Sequence, residues 1–172
     1  MPKLNSLDAS VPGFGLDILS KFDSPLLTNV CFDGWRDQEF AEEWVDSLTE
    51  PIIKNLRLLS RLSRNVTHLE LRSTVMHILG DDYRWLMSKN AFPRLEVMRL
   101  YAADITDSTL RLGAGRRISL KRLELLACVG VSGNGILDFV KGRNQDFELL
   151  IDACPGVKPE ERTKLSEIVK IL

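Results

Sequence analysis

Apolar residues recur along this chain in a short pattern, Leu-x-x-Leu-x-Leu, that returns every 25 or 26 residues in the second half. The clearest copies begin at Leu95, Leu120 and Asp146, and weaker ones begin at Val66, Leu27 and Leu4. Within each copy apolar and polar residues alternate, which places the apolar side chains on one face of a short β-strand. The pattern therefore predicts a series of similar strands.

The segments between these strands have apolar residues at helical spacing. Helices are predicted over Pro51 to Arg64 and Asp82 to Asn90, and near Ile105 and Ile136. A single strand–helix unit cannot bury its own apolar face, so neighbouring units must stack. We expect one α/β domain over residues 1–172, a leucine-rich repeat solenoid of about five to six repeats, with a curved parallel sheet on its concave side and helices on its convex side.

The C-terminal segment 159–172 predicts a helix that caps the solenoid. Pro159 suits the first helical position, and Glu160 and Glu161 complement the positive end of the helix dipole. An apolar stripe follows at helical spacing, formed by Leu165, Ile168, Val169 and Leu172.

Composition narrows the function classes. The chain has 172 residues, of which 44% are hydrophobic, and a formal net charge of −1. Its longest apolar run, Leu125 to Val131, has seven residues against the ~20 of a membrane helix. No signal-peptide pattern opens the sequence. We expect a cytoplasmic or nuclear protein that binds neither membranes nor nucleic acid, since it has no basic excess.

The second half resembles the cysteine-containing leucine-rich repeat, whose Leu-x-x-Leu-x-Leu-x-x-Cys is followed by Ile-Thr-Asp-x-x-Leu. Residues 105–110 read Ile-Thr-Asp-Ser-Thr-Leu after Ala103, which takes the cysteine position that Cys128 and Cys154 hold in later copies. The chain is most similar to the repeat region of fungal F-box proteins, which commonly ends in Cys-Pro-Gly-Val, as residues 154–157 do here. The resemblance implies the substrate-binding part of a ubiquitin-ligase receptor.

The F-box itself, a Leu-Pro segment leading into three helices, has no counterpart ahead of Leu4. We therefore expect a truncated or divergent member, which would bind the ubiquitin-ligase adaptor only if a longer chain carried an F-box. The alternative is a structural fragment of a larger repeat protein with no independent binding role.

Residues with reactive side chains give little sign of catalysis. Cys128 and Cys154 hold equivalent positions in adjacent repeats, where small buried thiols are the expected filling. Cys31 is predicted to point outward, and His68 and His77 lack partners at metal-ligand spacing. We therefore expect no catalytic residues, no metal and no cofactor.

The concave sheet surface is the remaining candidate for a binding site. Its middle row, which includes Glu70, Arg99 and Glu124, alternates in charge, so its pairing could simply stabilise the sheet. The adjacent row contains Arg72 and Tyr101, residue types common as interface anchors. We predict a protein partner on this face, contacting His68, Arg72, Arg99, Tyr101, Arg122, Glu124 and Leu126.

Overall fold

The structure is a computed structural model that describes residues 5–10, 26–33, 45–72, 80–115 and 119–172. Strands and helices alternate along these ranges. The strands are β1 (Ser6–Ser10), β2 (Asn29–Asp33), β3 (His68–Arg72), β4 (Val97–Tyr101), β5 (Arg122–Leu126), β6 (Glu148–Asp152) and β7 (Lys170–Ile171). The helices are α1 (Val45–Leu62), α2 (Gly80–Leu86), α3 (Asp107–Gly113), α4 (Gly133–Val140) and α5 (Pro159–Ser166). No helix in the described ranges is both long and apolar enough to cross a membrane.

All seven strands form one parallel sheet in chain order, β1 to β7. The register joins equivalent positions of successive repeats, which run Ala9, Phe32, Leu71, Leu100, Leu125 and Ile151. The fold predicted from the repeat is therefore confirmed: a leucine-rich-repeat solenoid with its parallel sheet on the concave side and its helices on the convex side. The alignment of the weaker upstream copies is confirmed as well.

A single apolar core runs between the sheet and the helices. The first inward position of each strand from β2 to β6 is at most 3% exposed, at Val30, Leu69, Met98, Leu123 and Leu149. The helices contribute residues such as Leu110 and Phe139, which are fully buried.

One predicted core position is filled differently. The repeat pattern places Asp146 where other copies have leucine, but Asp146 is exposed and its neighbour Phe147 is buried. The Phe147 ring lies 6.2 Å from that of Phe139, and the Arg143 guanidinium lies 4.7 Å from both rings. Burying an unpaired carboxylate would cost several kcal/mol, so the aromatic ring of the next residue is buried instead.

The turn after each of β4, β5 and β6 has the same shape. Ala102, Ala127 and Ala153 have φ of 49°, 53° and 51°, in the left-handed region. Each is followed by a small buried residue, and two of these are Cys128 and Cys154. The cysteines are therefore buried free thiols in the turns, as the sequence predicts.

These thiols hydrogen-bond to the strands beside them. The Cys128 thiol lies 3.5 Å from the carbonyl oxygen of Leu100, and the Cys154 thiol lies 3.4 Å from that of Leu125. Each cysteine thus links its turn to the preceding coil of the solenoid, that is, to the preceding repeat, through a weak hydrogen bond.

Adjacent coils also meet at the helix N-termini. The Asp107 carboxylate accepts hydrogen bonds from the backbone NH of Ser132 at 2.7 Å and from its hydroxyl at 2.6 Å. Ser132 in turn caps α4, because its hydroxyl accepts from the NH of Gly135. A Cβ atom on Gly135 would lie 2.0 Å from Asp107 Oδ1, so this contact requires glycine.

The C-terminal segment departs from the predicted helix over 159–172. Helix α5 ends at Ser166, and the chain then adds the short strand β7 beside β6. The NH of Lys170 donates to the carbonyl of Phe147 at 3.1 Å, and the NH of Leu172 donates to that of Leu149 at 3.0 Å. A strand here satisfies backbone groups at the edge of β6 that a longer helix would leave unpaired.

Other element boundaries also move. Helix α1 begins at Val45 rather than Pro51, and α2 covers Gly80–Leu86 rather than Asp82 to Asn90. His77 lies outside the described residues.

We predict that Gly156→Ala destabilises the fold by about 2 kcal/mol, the typical cost of overpacking. The added Cβ would lie 2.3 Å from the carbonyl oxygen of Val131 in the preceding coil. Urea unfolding measures the effect.

Gly142→Ala is the matched control. Gly142 has φ of 80° but no atom within 4 Å of an added Cβ, so only backbone strain of about 1 kcal/mol opposes it. Equal losses for the two variants would contradict close packing between coils at Gly156.

Candidate functional site

The outward side chains of the strands form three parallel rows across the concave face. The first row is Ser6, Asn29, His68, Val97, Arg122, Glu148 and Lys170. The second row is Asp8, Cys31, Glu70, Arg99, Glu124 and Leu150. The third row is Asp33, Arg72, Tyr101, Leu126 and Asp152. An open concavity of about 510 Å³ lies over β1 to β5, lined mostly by the first two rows.

Glu124 is the centre of a network of ion pairs on this face. It is 2% exposed and lies beneath two arginines. Arg99 Nε donates a hydrogen bond to Glu124 Oε2, and Arg122 Nε lies 2.6 Å from Glu124 Oε1. Arg122 continues to Glu148 at 3.6 Å, which Lys170 pairs at 2.6 Å. The network therefore reaches the last strand.

On its other side the network continues through Glu70. Arg72 Nε donates to Glu70 Oε1 at 2.7 Å, and Arg99 Nη1 lies 3.6 Å from Glu70 Oε2. We call the whole set the ion-pair ladder, whose members are Arg72, Glu70, Arg99, Glu124, Arg122, Glu148 and Lys170. Because its charges alternate in sign across five neighbouring strands, it fixes the side chains of the face in one arrangement.

The ladder presents its cations outward. The side chains of Arg72, Arg99 and Arg122 are 39%, 38% and 33% exposed, whereas those of Glu70 and Glu124 are 19% and 3% exposed. A ligand that approaches the centre of the face therefore meets guanidinium groups before carboxylates.

Pairing within the ladder shifts the pKa values of Arg72, Arg99 and Glu148. The hydrogen bond to Glu124 raises the pKa of the Arg99 guanidinium, and the hydrogen bond to Glu70 raises that of Arg72. The hydrogen bond from Lys170 lowers the pKa of Glu148, which Arg122 reinforces. These groups stay charged at neutral pH.

The third row carries the exposed apolar surface of the face. The side chain of Tyr101 is 48% exposed, between Arg72 on β3 and half-buried Leu126 on β5. Acidic residues flank this group in the row, Asp33 on β2 beside Arg72 and Asp152 on β6 beside Leu126.

The structure brings together six of the seven residues predicted from the sequence. Arg72, Arg99, Arg122 and Glu124 belong to the ladder, and Tyr101 and Leu126 stand beside it in the third row. His68 is exposed in the first row, where its Nδ1 lies 2.8 Å from the hydroxyl oxygen of Thr67, apart from the ladder.

Glu124 requires a correction. The alternation of the strand predicts an outward, accessible carboxylate, and the side chain does lie on the concave side, but two arginines cover it. It lines the floor of the concavity, beneath the arginines that it holds in place. Lys170 was not predicted to lie on this face, because segment 159–172 was predicted as a helix.

Cys31 lies in the second row with Asp8 and Glu70 as register neighbours. Burial, followed by the charge of Glu70, raises the pKa of its thiol to about 11. The thiol is therefore protonated at neutral pH and a poor nucleophile. Among the described residues no group of three or more His, Cys, Asp or Glu side chains could hold a metal ion.

No protein-family model matches the sequence, and no curated protein aligns with it significantly.

Replacing Glu124 with alanine should lower the free energy of unfolding by about 2 kcal/mol, because it removes the carboxylate shared by Arg99 and Arg122. The arginines are partly exposed and can turn to solvent, which keeps the loss below that of a fully buried pair. Glu96→Ala is the control, since Glu96 pairs with exposed Lys121 and is 42% exposed, so a loss below about 1 kcal/mol is expected. Equal urea midpoints for Glu124→Ala and the original chain would show that the ladder contributes no stability.

Stability should fall as the pH rises from about 9 to 11, and Cys31 should account for part of the fall. Its thiol has a raised pKa of about 11 when folded against 9.0 for the unperturbed group. The unfolded chain therefore releases this proton first, which favours unfolding over that range. Denaturant melts across this pH range should show a shallower decline for Cys31→Ala than for the original chain. Parallel declines would show that the folded thiol is not desolvated.

Proposed function

We propose that this chain is a non-enzymatic protein-binding module whose concave face holds a protein partner. The observation that carries the proposal is the third row, where exposed Tyr101 stands between Arg72 and Leu126 on a sheet fixed by the ion-pair ladder. Tyrosine and arginine are frequent hot spots of protein interfaces. A surface that is already ordered binds without the entropic cost of folding.

The state of the polar groups favours binding over catalysis. The charged side chains of the ladder are engaged in ion pairs, and the thiol of Cys31 is held protonated. Side chains that are paired in this way are less available for proton transfer or nucleophilic attack.

The resemblance to F-box proteins extends the proposal to a substrate class. The repeat pattern and the Cys-Pro-Gly-Val turn support a role as the substrate-binding part of a ubiquitin-ligase receptor. Its partner would then be a protein marked for ubiquitylation, and the adaptor would require an F-box in a longer chain.

The test is affinity capture with the immobilised chain and with a Tyr101→Ala variant, with bound proteins identified by mass spectrometry. Truncating an exposed hot spot should weaken capture of the true partner about tenfold or more. Because Tyr101 is 48% exposed, the variant is expected to fold normally. A thermal melt verifies this.

Arg111→Gln provides the convex-side control, since Arg111 lies on α3 and is 59% exposed. A protein captured equally by the original chain and both variants would move the site off the concave face. Recovery of adaptor and cullin subunits would support the ligase role, and their absence from every capture would rule out direct recruitment by this chain.

A further inference from the structure

We propose that the partner places a carboxylate side chain between Arg72 and Arg99 and an apolar side chain on Tyr101 and Leu126. This inference rests on the proposed function and specifies the chemistry of the segment that the concave face binds.

Two guanidinium groups meet at one carboxylate. Arg72 and Arg99 contact the two different oxygens of Glu70, at 2.7 and 3.6 Å. They therefore lie side by side above it. An arginine carries five N–H donors, and Glu70 takes the Nε–H of Arg72 while Glu124 takes that of Arg99. Within the part of the chain that the structure describes, the terminal amino groups keep N–H donors for a further anion.

The exposure of the arginines favours that anion. Arg72, Arg99 and Arg122 carry three positive charges, which Glu70 and Glu124 beneath them and Asp33 beside Arg72 balance. The three arginine side chains are more exposed than Glu70 and Glu124, so a carboxylate that approaches from solvent meets the guanidinium groups first. A carboxylate from a partner would pair with both arginines, and the planar guanidinium suits such a group.

The apolar contact lies next to this position. Tyr101 is the register neighbour of Arg72, and Leu126 is the next residue of the same row. Strands in a sheet are ~4.8 Å apart, so Leu126 is about 10 Å from Arg72 across the sheet. An extended segment advances ~3.3 Å per residue, which places its apolar residue two or three positions from its acidic one.

Asp33 and Asp152 set the character of the flanks. They lie on β2 and β6, next to Arg72 and Leu126 in the third row, and repel further acidic groups. The complementary segment is therefore acidic and apolar at its centre with basic residues on either side. Continuous polyanions such as nucleic acid fit this arrangement poorly, because their charge extends over the flanks.

The experiment selects ligands from a random peptide library displayed on phage, with the full chain as bait. Selected peptides are then synthesised with and without their acidic residue, and binding is measured by fluorescence anisotropy at low and high salt. Selected peptides should carry an Asp or Glu two or three positions from an apolar residue. Neutralising it with Asn or Gln, or making Arg72→Gln in the protein, should weaken binding about tenfold, the loss typical of one charge-assisted hydrogen bond.

Two further variants distinguish the loss of charge at Arg72 from a general loss of positive charge and from the loss of the guanidinium geometry. Arg111→Gln removes a convex-side arginine and should leave affinity unchanged. Arg72→Lys keeps the charge without the forked donors and should fall between the original chain and Arg72→Gln. Thermal melts verify that each variant is folded.

The outcomes distinguish this inference from the proposed function. Peptides that need Tyr101 but bind equally well without an acidic residue overturn the inference and leave the concave site in place. Peptides indifferent to both Tyr101→Ala and Arg72→Gln count against the concave site itself. A library that yields no selected peptide, or a single-stranded oligonucleotide that binds more tightly than any peptide, also overturns the inference.

Discussion

The stacking of one coil on the next is the constraint on which the rest of this structure depends. A parallel strand places each residue ~4.8 Å from the same position of the next repeat, so identical positions become neighbours. The backbone meets this spacing at fixed points: Gly156 lies against the carbonyl of Val131, and Gly130 against that of Ile105. The turns after β4, β5 and β6 are closed by alanines whose backbone is in the left-handed region, Ala102, Ala127 and Ala153.

The same spacing decides the chemistry of the concave face. A carboxylate in one repeat lies beside the residue at the same position of the next repeat. Glu70, Arg99 and Glu124 therefore form a row of alternating charge as a direct result of the register. Side chains that pair across coils lose their freedom to move. The charged side chains of the face are consequently held in one arrangement by contacts within the chain.

The period explains why the sequence predicted the strands and their register so well, since a wrong register would have turned leucines outward. Composition at single positions was less informative. Asp146 fitted the pattern by spacing, yet Phe147 filled the core because a ring packs where a carboxylate cannot. Similarly, an apolar stripe at Leu165 and Val169 fits either a helix or a helix followed by a strand, and the open edge of β6 decided between them.

The burial of Glu124 illustrates what repeat periodicity cannot predict and why it matters for binding. Alternation gives the face on which a side chain lies, but its depth depends on the reach of its neighbours, and two arginines are long enough to cover a glutamate. Covering the carboxylate leaves guanidinium groups at the surface although the face contains both signs of charge. The character of this surface therefore depends on the basic side chains that cover the carboxylates. A lysine in place of Arg99 would keep the formal charge but could not contact Glu124 and Glu70 through two separate nitrogens.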